Sequence, residues 1–313
     1  MDDIAIHTEA VTKRYGSFTA VDRLTISVVR GEIFGFLGPN GAGKTTSINI
    51  ICGLMRPTEG DVFIDGRSVG HDTRAVKGIV GCCPQELILW EKLTCREQLL
   101  FLASMYDVPH KERTKRADDL LTGLGLFEKR NKAAKTLSGG MKRRLNIALS
   151  LIHNPSIVVL DEPEAGLDPQ SRTLVRDYIR ALSREHGKTV ILTTHNMDEA
   201  ERLADRVAII DRGTLIALDT PDALKSREGA GDVLEITFAE NAAAVRAGDA
   251  LTGMFTVTVR DASLLVRDHD MVSSMGAIAE RLKKASVTAD EMKLRANTLE
   301  DVFIAMTGRR LRE

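Results

Sequence analysis

Gly38, Pro39, Asn40, Gly41, Ala42, Gly43, Lys44, Thr45 and Thr46 have the spacing GxxxxGKT, with a short apolar run, Ile33 to Leu37, before them and a helical pattern after. The chemistry of such a stretch is the capture of phosphate oxygens. Its glycines let backbone N–H groups turn inward, and the helix N-terminus adds positive partial charge. In this setting Lys44 reaches the terminal phosphates and the Thr45 hydroxyl ligates Mg2+. The motif alone leaves kinases, GTPases and helicases open. A second group lies far along the chain, where Asp161 and Glu162 follow the apolar run Ile157 to Leu160. That run reads as a strand buried on both faces, and open α/β sheets place ligand chemistry at such carboxyl ends. Two adjacent carboxylates there need a counter-charge, which a Mg2+-nucleotide supplies.

The elements around these residues follow from periodicity. Ser138-Gly139-Gly140 opens a helix whose apolar face is Met141, Leu145, Ala148 and Ile152, and Asn154-Pro155 stops it. Leu137 to Asp168 as a whole, LSGGMKRRLNIALSLIHNPSIVVLDEPEAGLD, resembles the signature motif, Walker B strand and D-loop of ATP-binding cassette (ABC) ATPases. LSGG followed by a strand ending in DEP is far more specific than a phosphate loop alone. The resemblance covers about residues 5 to 220. It implies a P-loop NTPase core of ABC type, an α/β fold with an antiparallel β subdomain and an inserted helical subdomain. It further implies that ATP lies between Gly38–Thr46 of one copy and Ser138, Gly139 and Gly140 of a second, with Asp168 in the D-loop beside it. Tyr15 would stack on adenine, as a flat apolar face favours. Mg2+ would be held by Thr45, Gln85 and Asp161. Glu162 would polarise the attacking water, Gln85 would sense the γ-phosphate, and His195 with Lys44 would stabilise its charge. Glu164 departs from the small or hydroxylated residue common in the family, which puts the electrostatics of the metal site in question.

Residues 4 to 30 alternate, with Tyr15-Gly16-Ser17 as a turn between two strands. Strands are expected at 61–65, 79–83, 189–194 and, as a pair around Asp211-Arg212-Gly213, at 206–219. Thr94 with Glu97 forms a capping box that opens a helix to about Tyr106, and a charged helix follows from Lys111 to about Leu124. Residues 91 to 153 thus read as the helical insertion. Beside Gln85 stand Leu87, Ile88, Leu89 and Trp90, either buried in that insertion or facing the cytoplasmic helix of a membrane subunit. Lys142, Arg143 and Arg144 occupy the first turn of the signature helix, where the macrodipole disfavours cations. An approaching phosphate or a solvated basic face accounts for them.

Domains are expected at 1–225 and 226–313, joined by a linker at Glu228 to Asp232. The tail reads as strand, helix, two strands, helix, strand, helix: a small α+β domain without a catalytic constellation. Thr298 caps the last helix, Asp301 sits at its third position, and Gly308 ends it. Its LEDVF…TG resembles the extension of ATPases serving ABC type-2 exporters, which implies a type-2 membrane permease subunit as partner. A net charge of −1 gives no field for holding nucleic acid. The four cysteines form no CxxC pair and fit reduced thiols. No secretory signal and no apolar run of the ~20 residues that span a bilayer is read. The expected place is peripheral, on the cytoplasmic face of the cell membrane. A translation-type ABC ATPase would carry two GKT loops and a chromosome-type one long heptad insertions; the chain has neither.

Overall fold

The computed structural model describes residues 3–227, 232–268 and 270–307. They fall into two compact units, one ending at Thr220 and the other starting at Pro221. This break precedes the expected one at 225/226. Of the expected linker only Asp232 lies within the described residues, and Gly308 lies outside them.

In the first unit, β1 (Ile4–Tyr15), β2 (Phe18–Leu24), β3 (Ser27–Val29), β5 (Glu59–Ile64) and β6 (Arg67–Ser68) form an antiparallel sheet in the order β2-β1-β5-β6, with β3 also on β1. The second sheet contains β4 (Ile33–Leu37), β7 (Val80–Cys83), β8 (Ile157–Asp161), β9 (Thr189–Thr194), β10 (Arg206–Asp211) and β11 (Thr214–Asp219). Its order is β11-β10-β4-β9-β8-β7, parallel except for β11. Every residue of β4, β8 and β9 is buried, as expected of parallel strands covered on both faces. Ile157, Val159 and Ile191 pack toward α1 (Lys44–Ile51) and the antiparallel sheet. Val158, Leu160, Val190 and Leu192 pack on the opposite side, where the helical layer lies.

That layer holds α3 (Cys95–Met105), α4 (His110–Gly123), α5 (Gly139–Leu151) and α6 (Pro169–Arg184); the capping box of α3 is present. The short α2 (Thr73–Ile79) escaped the sequence reading, because Val76 is its one buried residue and leaves no periodic face. The layer continues to α7 (Met197–Leu203), whose N-cap Asn196 accepts hydrogen bonds from the Asp198 and Glu199 amides.

The second unit holds α8 (Pro221–Arg227), β12 (Val233–Thr237), α9 (Asn241–Leu251), β13 (Thr256–Arg260), β14 (Ser263–Arg267), α10 (Met271–Lys284), β15 (Glu291–Arg295) and α11 (Leu299–Thr307). The four strands pair antiparallel in the order β13-β14-β12-β15, a split βαβ arrangement. Leu234, Ile236, Leu264 and Val266 lie under Ala244, Leu251, Ile278 and Leu282 of the two long helices. Helix α8 packs on α11, and Asn297 donates to the Lys225 carbonyl, which is why Pro221–Arg227 belongs to this unit. At α11 the Thr298 cap and Asp301 are tied together, and Arg295 donates to Asp301 at 2.6 and 3.0 Å.

Candidate active site

Strand register brings the separated motifs to one edge. Leu37 lies opposite Thr194, Thr193 opposite Asp161, and Leu160 opposite Cys83. The Gly38–Thr46 loop, His195, Asp161-Glu162 and Pro84-Gln85 therefore all leave the carboxyl ends of four adjacent parallel strands. This is where such sheets carry their ligand sites.

Two glycines of the loop are required by space. A Cβ at Gly38 would meet the Ile210 carbonyl at 2.2 Å, and one at Gly43 the Ala20 carbonyl at 2.3 Å. Gly43 also caps α1 with φ of +102°, a conformation side chains resist. Lys44 is buried, and its Nζ donates to the Gly38 carbonyl at 2.7 Å and the Pro39 carbonyl at 3.2 Å. Burial pulls its pKa down, and the Glu162 and Asp161 carboxylates pull it back up. Thr45 Oγ1 donates to Asp161 Oδ2 at 3.0 Å, and Thr193 Oγ1 donates to the other carboxylate oxygen.

Glu162 stands in the left-handed region at φ +51°, a costly conformation for a side-chain-bearing residue. Its N–H donates to the Thr193 carbonyl and hydroxyl at 3.2 and 3.0 Å. Its carboxylate is 3.7 Å from Lys44 Nζ on one side and 2.9 Å from His195 Nδ1 on the other. Glu162 is buried while the His195 side chain is 52% exposed. A buried carboxylate between a fixed ammonium and a half-exposed imidazole can accept a proton from water.

Glu164 resolves differently from what its departure suggested. Arg176 holds it with two hydrogen bonds of 3.0 and 2.8 Å, so its charge is neutralised locally. Sequence reasoning missed Glu199, buried beside this group. Its Oε2 accepts from Thr194 Oγ1 at 2.6 Å, and its Oε1 has no partner among the described residues. Burial first, then the Glu164 and Glu162 charges, push its carboxyl up to about 8 from the ordinary 4.5. Between those pH values the folded chain keeps a proton that the unfolded chain has lost. This contribution to stability is full below pH 4.5 and is lost as pH rises through about 8. The loss is at most about 1.4 kcal/mol per pH unit. Thermal melts from pH 5.5 to 8.5 should therefore show a smaller decline for Glu199→Gln than for the parent; parallel curves would refute the assignment.

Ser138 caps α5, accepting from the Met141 amide at 3.3 Å, and Ser138 and Gly139 are exposed. Asp168 caps α6, accepting from Ser171 N at 3.0 Å and Ser171 Oγ at 2.7 Å, and these bonds hold its carboxyl below the usual range. A Cβ at Gly140 would sit 3.5 Å from Asp168 Oδ2, so signature turn and D-loop adjoin. Among the described residues no hydrogen bond links the Ser138 turn to the Gly38–Thr46 loop. Tyr15, at the end of β1, is 48% exposed, its hydroxyl 3.0 Å from Met55 Sδ. Gln85 has its side chain exposed; its carbonyl accepts from Arg143 at 3.0 Å.

Both readings of the basic triplet fail for Arg143, which is neither solvated nor aimed at a phosphate. It is buried under main-chain carbonyls, and Arg144 donates to the Leu124 carbonyl at 2.8 Å. The run Leu87–Trp90 splits: Leu89 packs on the core, while Leu87, Ile88 and Trp90 are exposed. The Trp90 and Phe101 rings meet edge to face at 5.3 Å.

Comparison with known proteins identifies the family. Residues 21–165 match the family described as ABC transporter. The linearmycin resistance ATP-binding protein of Bacillus subtilis (strain 168) is 38% identical over 312 residues, 98% of this chain and 100% of the relative. The daunorubicin/doxorubicin resistance ATP-binding protein of Streptomyces peucetius is 38% identical over 308 residues, 97% of this chain and 92% of the relative. Among solved structures, a dimeric ATP-binding cassette in a post-hydrolysis state with ADP and Pi matches with TM-score 0.63 and 30% identity, covering 69% of this chain and 98% of that one. By its motifs, its fold and 38% identity to the two resistance proteins over nearly its whole length, the chain belongs to the ABC transporter family, as an ATP-binding, ATP-hydrolysing subunit.

Proposed function

We propose that this chain hydrolyses ATP in a head-to-tail pair and couples the reaction to export through a separate type-2 membrane permease. The observation that carries the reading is the Glu162 carboxylate held between Lys44 and His195, beside the Thr45–Asp161 pair. Each ATP lies between Gly38–Thr46 of one copy and Ser138–Gly140 of the other, with Tyr15 against the adenine and Asp168 at the seam. The solved dimer with ADP and Pi supports the pairing, and the exposed Ser138 turn supports its open half.

The donor set fits Mg2+. Thr45 and Asp161 offer hard oxygens within hydrogen-bond distance of each other, and Mg2+ is commonly held by one or two carboxylates plus substrate phosphates. Thr45, Asp161 (through water) and Gln85 would hold it, and when bound it neutralises charge on the phosphate oxygens. Glu162 takes the proton of the attacking water as its oxygen bonds to the γ-phosphorus. The bond from that phosphorus to the bridging oxygen of ADP breaks. Lys44 turns from the loop carbonyls to the phosphates, where it and His195 stabilise charge on the γ-phosphate, and His195 Nδ1 holds the Glu162 carboxylate in place.

Coupling follows from an apolar groove of about 460 Å3 lined by Leu54, Ile88, Trp90, Leu102, Tyr106 and Leu149. The exposed Ile88 and Trp90 that line this groove are suited to a cytoplasmic helix of the permease; among the described residues no helix is long and apolar enough to cross a membrane. Export, rather than import, is the reading that Nod factor export ATP-binding proteins among the relatives support. Trp90→Ala should reduce co-sedimentation with permease-containing membranes by roughly tenfold, the scale of an apolar anchor contributing over ~1 kcal/mol. Basal ATPase should stay close to parental. Undiminished co-sedimentation would remove the groove from coupling.

A further inference from the structure

Arg143 takes no part in the phosphate chemistry, yet it joins the pieces that do. It is 4% exposed on α5, shortly after the Ser138 turn. Its Nη1 donates to the Pro84 carbonyl at 2.7 Å and the Gln85 carbonyl at 3.0 Å. Its Nη2 donates to the Glu162 carbonyl at 2.8 Å and to that of Asp161, and its Nε to that of Pro163 at 3.5 Å. A guanidinium has five N–H groups in one rigid plane. All are used here on main-chain carbonyls and none on a carboxylate.

Those carbonyls belong to two segments that leave the adjacent strands β7 and β8. One carries Gln85, the other Asp161 and Glu162. The Glu162 residue is thereby clamped at both ends, its N–H on Thr193 and its carbonyl on Arg143. Such double fixation is what holds a non-glycine residue at φ +51°. Asn146, one turn further along α5, donates to the Pro84 and Glu86 carbonyls at 3.4 Å each, a longer and weaker tie. A shift of α5 therefore moves the backbone of Gln85 and Glu162 with it.

We infer that Arg143 is a positioning residue for hydrolysis, locking the main chain of Gln85 and Glu162 to the signature helix. It thereby ties the turn that meets the partner copy's nucleotide to this chain's own water-activating carboxylate; this second part rests on the head-to-tail pair proposed above. Ground-state binding is left to Lys44 and the loop amides, which Arg143 does not touch.

The test is a split between turnover and binding in the full chain. Arg143→Gln should lower kcat by ~10²-fold, the scale of an ångström-sized misplacement, with the Kd for ATP within about twofold of parental. Arg143→Lys keeps the charge and up to three donors but loses the plane, so it should recover roughly tenfold of the lost kcat. In a Glu162→Gln background, adding Arg143→Gln should leave dimerisation by ATP intact. A kcat within about threefold of parental overturns the inference, since the positioning effect is set near ~10². So does a joint fall of kcat, affinity and melting temperature in both variants, which marks a merely structural arginine. If Glu162→Gln with Arg143 intact stays monomeric in ATP, the paired site fails, while the split of kcat against Kd still decides the positioning role.

Discussion

Glu162→Gln is expected to lower ATP hydrolysis by ~10²-fold or more while leaving ATP binding intact. The substitution keeps the size of the side chain and an amide that still accepts from His195, so the contacts around it survive. What is lost is the proton acceptor beside the attacking water. Binding persists because Lys44, the loop amides and the α1 N-terminus act on phosphates in the ground state. The fixed main chain of Glu162, clamped by Thr193 and Arg143, argues against a collapse of the strand end. Steady-state phosphate release and nucleotide titration on one preparation measure both quantities. Parental turnover in Glu162→Gln would remove the carboxylate from its role.

Lys44→Ala should lose binding as well as turnover. The ammonium holds the Gly38 and Pro39 carbonyls and lies 3.7 Å from Glu162, all in a buried place. Charge-assisted hydrogen bonds to phosphate contribute about 1.5–3 kcal/mol each, so affinity for ATP should fall by roughly 10- to 100-fold. Removing one member of a buried pair also leaves the other charge unpartnered on that side. The melting temperature should therefore drop for Lys44→Ala, and less so for Lys44→Ala combined with Glu162→Gln, which has no carboxylate to strand. Calorimetric titration with ATP and thermal melts decide it. Affinity within about twofold of parental would contradict the role, because it leaves no room for a lost charge-assisted bond.

Much of the candidate site is legible because its parts are local in sequence. A glycine loop between an apolar run and a helix, and two carboxylates ending an apolar run, announce themselves at short range. The capping box at Thr94 and the element order of the second unit were legible for the same reason. The pairing order β13-β14-β12-β15 was not, since element order leaves several antiparallel arrangements open. Arg143 was misread because its partners are main-chain carbonyls, which carry no side-chain signature. Its helix-terminal position suggested a misfit, whereas its side chain turns into the sheet edge. The Glu164–Arg176 pair joins a loop to the middle of α6, a spacing no helical rule marks. Glu199 stands in the first turn of α7, where acids are ordinary; burial, with the Glu164 and Glu162 charges, raises its pKa, against the Thr194 hydrogen bond that lowers it. A weak signal did exist, because Glu199 falls on the face of α7 that also carries the apolar Leu203.

In the proposed pair, two copies close around ATP, with the loop of one facing the signature turn of the other. Light scattering of Glu162→Gln with and without ATP tests it most directly, because blocked hydrolysis keeps the nucleotide in the seam. A shift from monomer to dimer is expected on adding ATP. The shift should disappear when Ser138→Arg, which fills the exposed turn that caps α5, is added. A Glu162→Gln protein that binds ATP tightly and remains a monomer would contradict the paired site.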